Sequence, residues 1–138
     1  MPRKSNVRQY TPFPGFQRHY EKEFFMYPHI LEEYWYQMSG SEQKVLDFIL
    51  RQTIGWRKLS DRISLEQFAN GVGGTNRGTG LSYSQIQRAI KGLEDQGFIK
   101  VVRVRHRPST FSLVLEPDAY FMELEKTFDA FRNGKNMD

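Results

Sequence analysis

Apolar and polar positions along the chain alternate with a helical period first and a strand period later. Val45, Leu46, Ile49 and Leu50 recur at helical spacing and predict a helix over 41–53. Ser39-Gly-Ser-Glu42 caps it, Gly55 breaks it, and Trp56 is expected to anchor the turn from the core. Arg62-Ile-Ser-Leu65 reads as a short strand running into a second cap. There Ser64 and Gln67 form a capping-box pattern, and Leu65, Phe68 and Ala69 face inward on a short helix, about 65–70. Ser82 and Gln85 repeat that pattern at the start of a helix over 82–96. Ile86, Ala89, Ile90 and Leu93 form its apolar stripe, and Gly97 is its stop. The period then switches to alternation. Phe98 to Arg105 sets Val102 and Val104 against Arg103 and Arg105, His106-Arg-Pro-Ser109 turns, and Phe111, Leu113 and Leu115 share one face of the returning strand.

The flanks are less regular. Residues 1–23 are polar, with Pro2, Pro12, Pro14 and Gly15, and read as a basic arm. The arm is either mobile or laid along phosphates through Arg3, Lys4, Arg8 and Arg18. Residues 24–36 are dense in aromatics, and Pro28 suits a first helical position, so a short helix is expected over about 29–36. Glu32 and Glu33 sit among those aromatics and favour packing on the core over stacking of single-stranded bases. Pro117-Asp118 opens a last helix, about 118–132, with Phe121, Leu124, Phe128 and Phe131 on one stripe. That stripe either docks on the chain's own core or pairs with another chain. The expected organisation is therefore an arm (1–23), a central domain (24–116) and a terminal amphipathic helix with its tail (117–138).

Composition narrows the classes. The chain has 138 residues, 38% of them apolar, which is enough for one domain with a real core. No apolar run reaches membrane-spanning length, and no apolar segment follows the first residues as in a secretory signal. Cysteine is absent, so neither a disulfide framework nor a thiolate metal site is expected, and a cytoplasmic location fits. His19, His29 and His106 are scattered, with no zinc pair, serine elbow or Walker lysine, so neither catalysis nor a cofactor is expected. Gly71-Val-Gly-Gly-Thr-Asn-Arg-Gly-Thr-Gly80 lacks the lysine of a phosphate loop. It reads as an insertion between two helices: a surface loop, or a mobile one that orders when Asn76 or Arg77 meets DNA.

Charge is distributed unevenly around a net +4. Between 98 and 115 the chain carries Lys100, Arg103, Arg105 and Arg107 and no acid. The polar side of helix 82–96 carries Ser82, Tyr83, Ser84, Gln85, Gln87, Arg88 and Lys91, none of them acidic. A helix of this kind is either an ordinary solvated amphipathic helix or the recognition helix of a helix-turn-helix. Two strands directly after it would make a wing, whose tip, Arg105-His106-Arg107, is placed against phosphate or in the minor groove. Arg57 and Lys58, at a helix end, touch backbone phosphate or water. The expected fold is mainly α with a small β-hairpin wing, a winged helix-turn-helix, and the expected partner is double-stranded DNA.

Glu42-Gln-Lys-Val-Leu-Asp-Phe-Ile-Leu-Arg-Gln-Thr-Ile-Gly-Trp56, Asp61-Arg-Ile-Ser-Leu65 and Thr79-Gly-Leu-Ser82 resemble the N-terminal winged-helix domain of the lambda-type phage replication protein O family. The resemblance covers about residues 24–105. It implies sequence-specific binding to repeated origin DNA, usually as a dimer, and recruitment of a helicase or helicase loader. Family members often continue into a segment that contacts the helicase machinery, whereas this chain stops at Asp138, so DNA binding carries over better than initiation. A winged helix can also serve as a repressor or as a non-catalytic DNA- or protein-binding subunit. The stripe Phe121, Leu124, Phe128 and Phe131 is the candidate dimer or partner contact.

Overall fold

The computed structural model describes residues 10–16, 25–115, 130 and 132. Helices α1 (Gly40–Gln52), α2 (Leu65–Asn70) and α3 (Tyr83–Asp95) and strands β1 (Ser60–Ile63), β2 (Ile99–Val102) and β3 (Ser109–Leu113) follow in the order α1-β1-α2-α3-β2-β3. The fold is mainly α with a small antiparallel sheet. Each helix starts at a serine that closes a reciprocal capping box: Ser39 with Glu42, Ser64 with Gln67, Ser82 with Gln85. Such caps contribute about 1 kcal/mol each. They matter most for α2, which at six residues is too short to hold itself.

The core lies where α1, α2, α3 and the sheet converge. Val45, Leu46, Phe48, Ile49 and Leu50 of α1 meet Phe68 and Ala69 of α2 and Ile86, Ala89, Ile90 and Leu93 of α3. Ile63, Ile99 and Phe111 close it from the sheet. The sheet order is β1-β3-β2, so β3 pairs on both sides and Phe111 stands opposite both Asp61 and Val101. The short strand before α2 is thus the third strand of the wing's own sheet.

Two local expectations are corrected. The segment after Pro28 is not an α-helix but two 3-10 turns, His29–Glu33 and Trp35–Gln37, separated at Tyr34. Pro28 precedes the first turn in an extended conformation, and no side chain caps either turn. Leu31 is buried there, while Tyr36 is 86% exposed. At the end of α1, Trp56 is not in the core but 49% exposed, with the Arg51 guanidinium 5.0 Å from its ring centre. The left-handed residue of that turn is Arg57 (φ 56°), not Gly55. Thr53 anchors it instead. Fully buried, it donates through Oγ1 to the Ile49 carbonyl at 2.7 Å, and its own carbonyl accepts from the Trp56 and Lys58 amides.

The glycine-rich loop is built into the fold. Thr79 N and Oγ1 both donate to the Phe68 carbonyl at 2.8 Å, and Gly80 N donates to that of Ala69. Lys44 Nζ donates to the Thr79 carbonyl at 3.0 Å. Gly71 (φ +95°) and Gly78 (φ +74°) touch back to back: a Cβ on Gly71 would sit 2.2 Å from the Asn76 carbonyl oxygen. Val72 of the loop packs against the core. Shortening it to a three-residue turn would remove these bonds.

Gly71→Ala should therefore cost about 2 kcal/mol or more in urea denaturation, because backbone lies in the way and φ is left-handed. Gly73→Ala, with open space around its added Cβ, should stay within about 0.5 kcal/mol of the wild type. A second expectation concerns pH. The Tyr27 hydroxyl donates to Asp47 Oδ1 at 2.8 Å. Burial pushes Tyr27 up to about 12, and the bond to Asp47 adds to the rise. Burial also raises the Asp47 carboxyl above its ordinary value, partly offset by the bond from Tyr27. The folded state then holds that proton more tightly than the unfolded chain, so stability falls as pH rises from the ordinary carboxyl value through the folded one. Asp47→Asn should remove that fall. Melting temperatures between pH 3 and 7 should show the variant gaining on the wild type as pH rises.

Candidate nucleic-acid interface

The helical period sorts the side chains of α3. Ile86, Ala89, Ile90 and Leu93 point into the core. The opposite row is Ser84, Arg88, Lys91 and Asp95, all exposed. Gln87 and Glu94, two turns apart, lie on the side of the wing, and Gln85 lies toward α1.

The wing rises beside that helix. Its tip, residues 103–108, lies beyond the ends of β2 and β3 and is closed by Arg107 N donating to the Val104 carbonyl at 3.1 Å. His106 takes a left-handed conformation (φ 62°) at the turn. Arg105, His106 and Arg107 are exposed. Between wing, α3 and the start of α2 runs a cleft of about 640 Å³. Ile63, Leu65, Ile90, Val101 and Phe111 are its apolar lining, and Gln87, Lys91, Arg103, His106 and Arg107 its polar one. The structure thus brings together five of the positions that the sequence marks as binding residues.

The marked positions differ in what they still offer. Ser82 Oγ accepts from Gln85 N at 3.2 Å and Gln85 Oε1 accepts from Ser82 N at 3.0 Å, so those oxygens serve the cap. Gln85 keeps its amide donors. The Tyr83 hydroxyl donates to Glu66 Oε2 on α2. That bond holds the Glu66 carboxyl below its ordinary range and pushes the Tyr83 hydroxyl up. Lys91 pairs with Asp95 at 2.7 Å. Arg103 grips Glu94 with both terminal nitrogens, each at 3.0 Å. The hydrogen bonds from Arg103 hold the Glu94 carboxyl below its ordinary range, and those to Glu94 raise Arg103. Among the described residues Arg88 bonds only back to the Ser84 carbonyl, through Nε at 3.4 Å. Among the described residues no carboxylate pairs with Arg88, Arg105 or Arg107.

Other marked residues lie away from the cleft. Arg57 and Lys58 occupy the turn between α1 and β1, and Lys58 pairs with Asp61 at 3.1 Å. Arg77 is exposed on the loop. Asn76 is half-buried and holds the loop closed: its Oδ1 accepts from Gly78 N at 3.0 Å and from Val72 N at 3.4 Å, and its amide reaches Gln52 at 3.5 Å. The arm cations Arg3, Lys4, Arg8 and Arg18 and the stripe Phe121, Leu124, Phe128 and Phe131 lie outside the described residues. Sequence reasoning missed Glu66, Glu94 and Asp95. Only Asp95, four residues from Lys91, carried a local signal.

Among the described residues no helix is long and apolar enough to cross a membrane, and no cluster of three His, Asp or Glu side chains could hold a metal. What the fold and the charged face define is a small mainly α domain with a β wing, built to present cations beside an exposed helix row. Residues 23–113 match the family Bacteriophage replication protein O, and the chain belongs to that family. The membership carries with it a role in phage replication and DNA binding. No curated protein and no solved structure matches the chain.

Asn76→Ala should lower stability by about 1–2 kcal/mol, since it strands two loop amides. Denaturation of the free protein measures this without any DNA, and an unchanged midpoint would show that the loop does not need the side chain.

Proposed function

We propose that the chain binds double-stranded DNA sequence-specifically as a winged helix-turn-helix, at a phage-type replication origin, as an initiator. In this reading α2, the loop and α3 are the helix-turn-helix, and β2 and β3 are the wing. The observation that carries it is the set Arg88, Arg105 and Arg107, unpaired among the described residues and disposed on the exposed helix row and the adjacent wing tip. A guanidinium aimed outward from a helix in the major groove can take a guanine edge with two bonds. Ser84 lies one turn before Arg88 on the same row, Gln87 flanks it on the side of the wing, and Gln85 flanks it toward α1. Arg105, His106 and Arg107 serve phosphate, which positions the protein without reading sequence. Tyr83 and Lys91 join the interface only as far as Glu66 and Asp95 release them. Asn76 is left out of this interface, and Arg57, Lys58 and Arg77 are peripheral to it.

One recognition helix covers few base pairs, so the reading includes two copies on neighbouring half-sites. Contact through Phe121, Leu124, Phe128 and Phe131, recruitment of a helicase or helicase loader, and a cytoplasmic site of action complete it as proposals. The role is binding without catalysis or cofactor.

The test uses duplexes enriched by the full chain from a random-sequence library. Arg88→Ala should cost about 1–3 kcal/mol on an enriched duplex and much less on a scrambled one. Arg105→Ala and Arg107→Ala should weaken both alike, and each should reduce the salt slope by about one. If the triple variant binds as the wild type does in gel shifts, the reading is wrong.

A further inference from the structure

The Arg103–Glu94 pair stands apart from the other charges of the face. It joins two elements, the last turn of α3 and the base of the wing tip, and it does so as a fork on a fork. The strands do not hold the tip: β2 ends at Val102 and β3 begins at Ser109. Among the described residues this is the only side-chain hydrogen bonding between tip and helix. Isolated surface ion pairs contribute little, but a planar guanidinium gripping both oxygens of one carboxylate adds a fixed direction to its energy. Glu94 is the more enclosed partner, its side chain 29% exposed against 57% for Arg103. The Lys91–Asp95 pair lies alongside, so the C-terminal half of α3 is balanced in charge where the helix meets the wing.

We propose that Glu94 is a positioning residue for DNA recognition. By holding Arg103 it fixes the wing tip relative to α3, so that Arg105 and Arg107 reach phosphate while Arg88 is in register with the bases. Arg103 is then a strut and not a phosphate contact. This rests on the DNA-binding reading above and deepens it.

The sign of the effect separates this from plain electrostatics. Removing an acid from a DNA-facing surface makes the protein more positive and should tighten binding to any duplex. Loss of a strut instead weakens binding to the preferred duplex, whose contacts need both elements in place. The experiment compares the full chain with Glu94→Gln, Arg103→Lys, Arg103→Ala and the exchanged pair Glu94→Arg/Arg103→Glu, on an enriched and a scrambled duplex. Glu94→Gln and Arg103→Lys should each lose at least about fivefold on the enriched duplex, the scale of one base contact, with no loss on the scrambled one. On the scrambled duplex Arg103→Ala should leave the salt slope unchanged, where Arg105→Ala lowers it. The exchanged pair should recover part of the preference.

Equal or tighter binding of Glu94→Gln to both duplexes overturns the inference, as does a salt slope on the scrambled duplex lowered by Arg103→Ala. Either result makes Arg103 an ordinary phosphate contact and Glu94 its competitor. Arg103→Lys keeps the charge and the exchanged pair keeps the bridge, so a folding defect in one variant does not leave the question open; melting temperatures identify it. The two readings fail separately. If the Arg88, Arg105 and Arg107 variants bind normally, DNA recognition by this face is wrong. If they fail to bind while the Glu94 and Arg103 variants keep their preference, only the strut is wrong.

Discussion

Phe68 holds this domain together. Its side chain is fully buried, with the Phe48 ring 5.2 Å away on α1 and the Phe111 ring 5.0 Å away at the centre of the sheet. A ring so enclosed stabilises by about 1.5–3 kcal/mol through burial, with a further increment from the edge-on contact. The same residue's carbonyl accepts both the amide and the hydroxyl of Thr79, which brings the long loop back to the start of α3. Helix α2 has six residues and little stability of its own. Through Phe68 it nevertheless ties α1, the sheet and the loop to one point, and so sets the place from which α3 departs.

From that scaffold follows the character of the exposed face. Its cations are of two kinds. Lys91 and Arg103 are engaged by Asp95 and Glu94, while Arg88, Arg105 and Arg107 have no acidic partner among the described residues. A face with every cation free would attract any polyanion. One whose cations are partly engaged can hold its remaining charges in defined places, which is the requirement for reading a sequence rather than merely adhering to phosphate. Tyr83, bonded to Glu66, extends the arrangement to the other end of α3.

The loop shows how composition can mislead. Gly71, Gly73, Gly74, Gly78 and Gly80 suggest an unpacked insertion. In the fold, Gly71 and Gly78 are there because two backbones touch, and Asn76 and Thr79 satisfy the amides that such a path exposes. Nothing in the local spacing distinguishes a glycine needed for close approach from one that is merely flexible, because the approaching strand of chain lies several residues away.

The sequence by itself determined the three capped helices, the inward stripes of α1 and α3, the hairpin after Gly97 and the membership of the family. These depend on residues within a turn or two of each other, where helical and strand periods act directly. It did not determine the 3-10 character of 29–37, since aromatic density signals burial but not the hydrogen-bond pattern, nor the exposure of Trp56. Apart from Lys91 and Asp95, tertiary structure decided which polar groups remain available. Glu94 and Arg103 are nine positions apart, Glu66 and Tyr83 seventeen, Gln52 and Asn76 twenty-four. At such separations the chain's local rules fall silent, and only the packing of one element against another brings a donor within reach of its acceptor.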